Sequence, residues 1–289
     1  MRILLTGKTG QVGYELERSL QGLGELIALD RRQMDLSDLA QVRDVIRAVK
    51  PDLIINPAAY TAVDKAESEP ELAMRINGEA PAVMAMEAKK LGAAMIHFST
   101  DYVFDGGKAS PYLENDPTGP INVYGATKLA GEQAIRDAGI AHLILRTSWV
   151  YGMRGKNFLL TMLRLAQERD ELRVVVDQHG APTWCRTIAD TTAHMVAQSM
   201  VSPLAPQWWQ ERSGVYHLTS QGQTTWFGFT QTILDNAAIM QKPVLVPIRT
   251  EEYPLPARRP GHSVLSSEKW MRSFCGLPNW ENALKLCMS

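Results

Sequence analysis

Cysteine is scarce in this 289-residue chain: Cys185, Cys275 and Cys287 are the whole set. Their odd number and loose spacing exclude a disulfide framework and a cysteine-built metal site. A reducing compartment, the cytoplasm, is the expected setting. An excess of charge is also missing, since 30 Lys and Arg stand against 31 Asp and Glu for a formal charge of −1. No global field draws the chain to nucleic acid or an anionic membrane. Neither is expected as a partner, and any anionic ligand must be held by local groups. Long apolar runs are absent as well. No uncharged stretch approaches the roughly 18 residues that a bilayer span needs. The opening run Ile3-Leu4-Leu5 breaks at Gly7, too early for a signal peptide. Internal repeats and low-complexity tracts are lacking too. What remains is an ordinary globular composition, 45% hydrophobic and 21% charged, with enough chain for one large domain or two modest ones.

Strand and helix signals alternate along the first half. Short apolar runs at Ile3–Thr6, Leu26–Leu29, Leu53–Ile55, Met95–Ser99 and His142–Arg146 read as buried strands. Helical spacing between them predicts helices over Val12–Leu20, Ser37–Val49 with Ser37 as N-cap, and Pro70–Leu91, with a further helix around Tyr124. Strands alternating with helices imply an α/β fold, a parallel sheet covered on both faces. The rhythm is less clean after Val150. Helices are expected over Phe158–Ala166, Ile188–Met200 and Trp226–Ala238, and strands over Leu172–Val176 and Val215–Leu218. The last fifty residues, rich in proline and arginine, are expected to complete a smaller C-terminal α/β cap that binds substrate. The expected division gives 1–150 and parts of 172–220 to a Rossmann-type, doubly wound dinucleotide domain. Residues 151–171 and 221–289 fall to the cap.

Gly7, Gly10 and Gly13 stand where the first strand turns into the first helix. Glycine removes the Cβ that would block a phosphate, and a helix N-terminus offers free N–H groups and the positive end of its dipole. This is the pattern of a pyrophosphate cradle. Asp30 ends the second strand, where a carboxylate bonds a ribose 2′-hydroxyl. Arg31 and Arg32 follow at once and suit a 2′-phosphate. Together the three predict NADPH as the favoured cofactor, with NADH also accepted. The segment from Asn56 to Thr61 follows the third strand at the carboxyl end of the sheet and faces the same crevice.

Tyr124 and Lys128 are four residues apart and share a helix face. An ammonium near a phenol stabilises the phenolate, so this spacing predicts a lowered tyrosine pKa. Such a tyrosine serves as a general acid toward a carbonyl oxygen that receives hydride. Thr100, in Ser99-Thr100-Asp101-Tyr102 at the end of the fourth strand, offers a hydroxyl to the same carbonyl and to the phenol.

The glycine trio, the strand-end threonine and Tyr-x-x-x-Lys resemble the extended short-chain dehydrogenase/reductase superfamily over nearly the whole chain. The finer phrasing is similar to its sugar-nucleotide reductases. It runs through Ala62-Val63-Asp64-Lys65-Ala66-Glu67, Ser99 to Phe104, Asn122-Val123-Tyr124-Gly125 and Arg146 to Tyr151. It continues in Asp177-Gln178, Gly180-Ala181-Pro182-Thr183 and Pro256-Ala257-Arg258-Arg259-Pro260. The resemblance implies a catalytic set of Thr100, Tyr124 and Lys128. It implies that Gln11, Val12, Asp30, Asp35, Leu36, Ala59, Tyr60 and Thr61 line the cofactor, and that Thr100, Asp101 and Trp149 meet the sugar nucleotide. Tyr124 and Lys128 would touch the cofactor as well. The implied reaction is NADPH-dependent reduction of the C4 keto group of dTDP-4-dehydro-β-L-rhamnose to dTDP-L-rhamnose, the last step of dTDP-rhamnose synthesis. Arg258 or Arg259 suits the substrate diphosphate, because a fork of donors matches phosphate oxygens.

Two other readings stay open. One is a different reductase or epimerase of sugar nucleotides on the same fold, since fold does not fix substrate. The other is a non-catalytic NADP-binding subunit, against which the intact trio of Thr100, Tyr124 and Lys128 argues. The sequence departs from the resemblance at one point. Some superfamily members bridge a dimer with Mg²⁺ through glutamates. Glu15 is present here, but Arg186 takes the place of a second glutamate, and the chain ends at Ser289, where another acidic ligand is expected. Arginine is a poor neighbour for a cation that wants oxygen ligands. A metal site is therefore not expected, and the protein is expected as a monomer or weak homodimer.

Overall fold

The computed structural model describes residues 1–202 and 205–289. Five strands, β1 (Arg2–Leu5), β2 (Glu25–Ala28), β3 (Leu53–Asn56), β4 (Ala94–Thr100) and β5 (His142–Thr147), join a sixth at Gly214–His217. The order across the sheet is Gly214–His217, β5, β4, β3, β1, β2, with every neighbouring pair parallel. Alternate residues of each strand feed opposite faces, as the pleat dictates. Ile3, Leu5, Leu53, Ile55 and Ile96 enter one core with Leu16, Leu20 and Ile188. Leu4, Ile54, Met95 and Ile144 enter the other with Val42, Ile46, Met84 and Ile135. Both faces are thus buried, which is why these strands read as unbroken apolar runs rather than as alternation.

The helices α1 (Gln11–Ser19), α2 (Leu39–Val49), α3 (Val63–Ala66), α4 (Pro70–Met74), α5 (Ala80–Leu91) and α6 (Val123–Ala138) connect these strands. The helix Cys185–Val201 lies against α1 and shares its core. β1 leads outward to β2 in one direction, and β3 begins the other. The carboxyl ends of β1 and β3 therefore frame a crevice at the point where strand order reverses, the usual ligand site of open α/β sheets.

A third core holds the smaller part together. Tyr151, Leu159, Met162, Leu172, Val174, Phe229, Ile233, Trp280 and Leu284 bury one another there. Of the stretch 172–220, Gly214–His217 joins the large sheet, while Glu171–Val175 pairs instead with Val244–Ile248 in a two-stranded sheet. Among the described residues no helix is long and apolar enough to cross a membrane.

Several elements differ from the sequence expectation, and three of the differences have a visible cause or consequence. α2 starts at Leu39 with Asp38, not Ser37, as its N-cap, the Asp38 carboxylate accepting from the Ala40 and Gln41 N–H groups. Ser37 is unavailable because its N–H and its hydroxyl both donate to Asp35 Oδ1, at 2.9 and 2.7 Å. The helix expected over Pro70–Leu91 carries a π-turn at Arg75–Glu79 between α4 and α5. There Asn77 turns inward: its Oδ1 accepts from Tyr60 N at 2.8 Å, and its Nδ2 donates to Tyr60 O and to Thr127 Oγ1, each at 3.1 Å. The helix expected to reach Ala238 ends at Asn236.

Candidate active site

The glycine loop shapes the floor of the crevice. Gly7 has a φ of +60°, and a Cβ there would lie 2.9 Å from Ala58 Cβ, so only glycine lets the β1 and β3 loops meet. Gly10 is the N-cap of α1 and provides no side-chain cap, which leaves the first N–H groups of the helix open to a ligand. Gly13 packs on the Gly7 carbonyl. This open helix start and its glycine cradle fit a dinucleotide pyrophosphate.

Around that cradle the expected cofactor residues take different places. Gln11 is tied across the crevice, its Oε1 accepting from Asn157 Nδ2 at 2.8 Å. Val12 packs against the core beneath. The Asp30 carboxylate accepts from the backbone N–H groups of Arg32 and Gln33, at 2.9 and 3.2 Å, and so fixes the turn that carries both arginines. Arg31 Nε lies 3.2 Å from Asp35 Oδ2. Burial works against the Asp35 charge, but hydrogen bonds from Ser37 and the Arg31 guanidinium hold its carboxyl below the usual range. Arg32 is exposed and Leu36 is buried. Ala59, Tyr60 and Thr61 follow β3 on the crevice side, with Tyr60 clamped by Asn77 through its backbone and donating to Glu69 Oε2 at 2.7 Å.

The reacting groups meet where β4 ends beside α6. Thr100 closes β4, and its Oγ1 accepts from Tyr102 N at 3.2 Å to start a short 3₁₀ turn, Asp101–Val103. Asn122 caps α6 by accepting from Gly125 N at 2.8 Å and, through Nδ2, donates to Arg258 O at 2.9 Å. A Cβ at Gly125 would lie 2.1 Å from Tyr102 O, so glycine permits the first turn of α6 to press on the 3₁₀ turn. That contact sets the Tyr124 ring beside Thr100 and edge-on to Tyr102, with ring centroids 6.0 Å apart.

The sign of the tyrosine's shift is opposite to the one expected from the Tyr–Lys spacing. Burial pushes the Tyr124 phenol up to about 12; the neighbouring Thr100 hydroxyl pulls back, and the nearby Asp101 carboxylate adds to the rise. The ammonium expected to lower it faces the sheet instead. Lys128 is 1% exposed, and its Nζ donates to Phe98 O at 2.6 Å and lies 3.2 Å from His97 Nε2. Burial draws Lys128 down to about 8, against the pull of Glu132. A phenol that stays protonated at neutral pH is the form that gives a proton, so the arrangement suits an acid.

Asp101, expected at the substrate, is 2% exposed and held by three hydroxyls. Thr100 Oγ1 donates to its Oδ1 at 3.0 Å, and Ser148 Oγ at 3.1 Å and Ser263 Oγ donate to its Oδ2. Burial raises its carboxyl to about 6 in spite of these donors. Asp101 thereby pins the end of β4 to the loops at 148 and 263. Trp149 has a left-handed φ of 47° and stacks on Trp226 with ring centroids 3.5 Å apart. Arg259 is engaged: its NH2 lies 2.8 Å from Asp64 Oδ2 and its guanidinium sits over the Tyr102 ring. Arg258 is exposed, with its carbonyl fixed by Asn122. Among the described residues it forms no ion pair. Sequence reasoning did not single out Asn77, His97, Ser148, Ser263 or Trp226. Their partners lie far along the chain, and no local pattern marks them.

Comparison with known proteins adds to this geometry. A sequence model of the family described as RmlD substrate binding domain matches residues 1–289. The dTDP-4-dehydrorhamnose reductase of Burkholderia thailandensis is 50% identical over 295 residues, spanning 100% of this chain and 98% of that protein. The enzyme of the same name from Escherichia coli K12 is 47% identical over 294 residues, covering 99% of this chain and 96% of that protein. Among solved structures, dTDP-4-dehydrorhamnose reductase from Bacillus anthracis in complex with NADP superposes with a TM-score of 0.90 at 34% identity, covering 99% of this chain and 98% of the other.

Proposed function

Because this chain belongs to the RmlD substrate binding domain family, we propose that it reduces the C4 keto group of dTDP-4-dehydro-β-L-rhamnose to dTDP-L-rhamnose, using NADPH. One observation carries the reading: a buried Thr100 hydroxyl next to a protonated Tyr124, one helical turn from a buried Lys128, at the same sheet edge as the glycine cradle. When bound, NADPH supplies the hydride. Tyr124 gives its proton to the C4 oxygen. Thr100, whose hydroxyl hydrogen goes to Asp101 Oδ1 in this structure, would turn it to the same oxygen. Lys128 adds positive charge beneath the helix face that carries Tyr124. Gly7, Gly10, Gln11, Val12 and Gly13 hold the pyrophosphate, and the turn from Asp30 to Leu36 takes the adenosine ribose with its phosphate. Ala59, Tyr60 and Thr61 line the crevice. Trp149 borders the sugar, and Arg258 is the guanidinium left free for the substrate diphosphate. Residues 1–150 with parts of 172–220 form the cofactor half, and 151–171 with 221–289 the substrate half. Free cysteines support a cytoplasmic setting. The decisive assay is stoichiometric NADPH oxidation with dTDP-4-dehydrorhamnose set against a panel of other keto-sugar nucleotides. Turnover of another member of the panel alone would replace this substrate.

NADPH should be preferred over NADH, but modestly. Arg31 and Arg32 favour the 2′-phosphate, while Asp30 and Asp35 oppose it by charge, and Arg31 is already partly neutralised by Asp35. The expected preference is below about 10³-fold, or about 4 kcal/mol. Comparing kcat/KM for both cofactors in the wild type, Arg31→Ala and Arg32→Ala tests this. A wild type that favours NADH refutes it.

Activity should not depend on Mg²⁺. Arg186 pairs with Asp190, Nε to Oδ2 at 3.5 Å, and is itself a cation at the position where the resemblance calls for an oxygen ligand. Proton transfer from a tyrosine calls for no Lewis acid. Turnover and sedimentation mass should be the same with excess EDTA as with added Mg²⁺, the mass being that of a monomer or weak homodimer. A severalfold fall in kcat with EDTA, restored by Mg²⁺, would contradict the assignment.

A further inference from the structure

Beneath Lys128 lies a buried polar row that the reaction proposed above does not use. Thr6 directly follows β1, and Asn56 and His97 stand on β3 and β4, the next two strands of the sheet, directly in register with each other. None is more than 2% exposed. Thr6 Oγ1 donates to Asn56 Oδ1 at 2.6 Å, Asn56 Nδ2 lies 3.1 Å from His97 Nδ1, and His97 Nε2 lies 3.2 Å from Lys128 Nζ. A polar row in a sheet core costs stability unless every member is partnered, so it stands out against the apolar residues around it.

We propose that His97 is a positioning residue for Lys128: its neutral imidazole fixes Nζ from the sheet side, and the row through Asn56 to Thr6 fixes the imidazole. An ammonium has three N–H donors and no acceptor. The Phe98 carbonyl takes one, and His97 Nε2 takes the second when Nδ1 carries the ring hydrogen. One donor is then left for the face of α6 that bears Tyr124. When Lys128 is a neutral amine, the other tautomer donates from Nε2 to its lone pair. That second tautomer suits the Asn56 amide as it stands, Nδ2 donating to Nδ1; the first needs the amide turned over, Oδ1 accepting from Nδ1–H and Nδ2 donating to Thr6 Oγ1. An imidazole thus keeps Nζ in one position through both charge states. Burial and the lysine's own charge hold His97 well below its usual pKa, so it stays neutral and available. The other titratable groups around Lys128 are Glu132 and Tyr124 on its own helix, Glu132 being paired with Arg146 of β5.

This inference rests on the reductase reading, and its test separates the two. Three variants are compared: His97→Gln, whose amide reaches the position of Nε2; His97→Asn, which is one bond too short; and His97→Leu. For Asn and Leu, kcat should fall roughly 10-fold to 100-fold, the range set by a small misplacement of a reacting group. KM for the sugar nucleotide should change far less. Gln should recover most of kcat. Loss of the acceptor disfavours the ammonium, so the limb of the pH profile that follows Lys128 should move to lower pH by about one unit in Asn and Leu, but not in Gln. The same displacement should appear in NADPH dissociation constants measured against pH by fluorescence without substrate. That arm stands even if the wild type turns over no dTDP-sugar, a result that sinks the functional reading alone. Should His97→Leu fail to fold, the Gln and Asn pair decides. A folded Asn or Leu variant with unchanged kcat and pH profile overturns the proposal, and so does a Gln variant as impaired as Asn.

Discussion

Tyr124→Phe is expected to lower kcat by about 10²–10⁴-fold, the usual worth of general acid catalysis, and to leave NADPH binding in place. The substitution deletes one hydroxyl and keeps the ring. The ring packs edge-on to Tyr102, with centroids 6.0 Å apart, so α6 should keep its seat. The phenol stands at about 12, and it is therefore protonated across the whole neutral range. Wild-type activity should not decline through loss of this proton until the pH nears that value. Steady-state kinetics together with an NADPH fluorescence titration checks both halves. A variant that keeps more than half of the wild-type kcat would remove Tyr124 from the acid role; one that no longer binds NADPH would show that the hydroxyl has a structural duty instead.

The largest effect on stability is expected from Glu132→Ala. Glu132 on α6 and Arg146 on β5 form a two-point pair, Nε to Oε1 at 2.9 Å and NH2 to Oε2 at 2.7 Å, with side chains 0% and 2% exposed. Ser99 Oγ of β4 adds a third bond to Glu132 Oε1 at 2.5 Å. Together they clamp the catalytic helix to the two strands beneath it. Removing the carboxylate leaves a guanidinium without its counter-charge in the core, which typically costs about 3–5 kcal/mol. Urea unfolding should show that loss. The pair itself is worth much less than its rupture, so Glu132→Leu combined with Arg146→Met should recover most of the stability. A loss under about 1 kcal/mol in Glu132→Ala, the worth of a surface pair, would refute the clamp.

The parts of the fold that sequence reveals are those governed by neighbours along the chain. Gly7, Gly10 and Gly13 announce a tight strand-to-helix turn, and the buried runs of β1, β3 and β4 announce a sheet covered on both sides. The Tyr124–Lys128 spacing is equally local. What tunes those two groups is not. Coulomb reasoning from spacing alone predicts a lowered phenol, but the cost of burial depends on what the fold lays over Tyr124, and that cost dominates. Asp101 draws its donors from Ser148 and Ser263, and Arg259 finds Asp64 from the far end of the chain. No short-range pattern foretells such meetings. The start of α2 shows the same limit in miniature. Ser37 and Asp38 are both good caps, and only the claim of Asp35 on Ser37 decides between them.

The π-turn at Arg75–Glu79 makes chain length itself a functional constraint. A π-turn holds one residue more than regular α-helix requires, and it persists where a side chain must face somewhere the α repeat would not send it. Deleting one residue between Arg75 and Glu79 would regularise the helix and satisfy local propensity. It would also swing the inward position about 100° around the axis, the rotation per residue of an α-helix. Asn77 would leave the Tyr60 backbone, whose N–H and C=O it satisfies, and would let go of Thr127 on α6. Losing this one extra residue would therefore unfasten the crevice wall from the helix of the tyrosine.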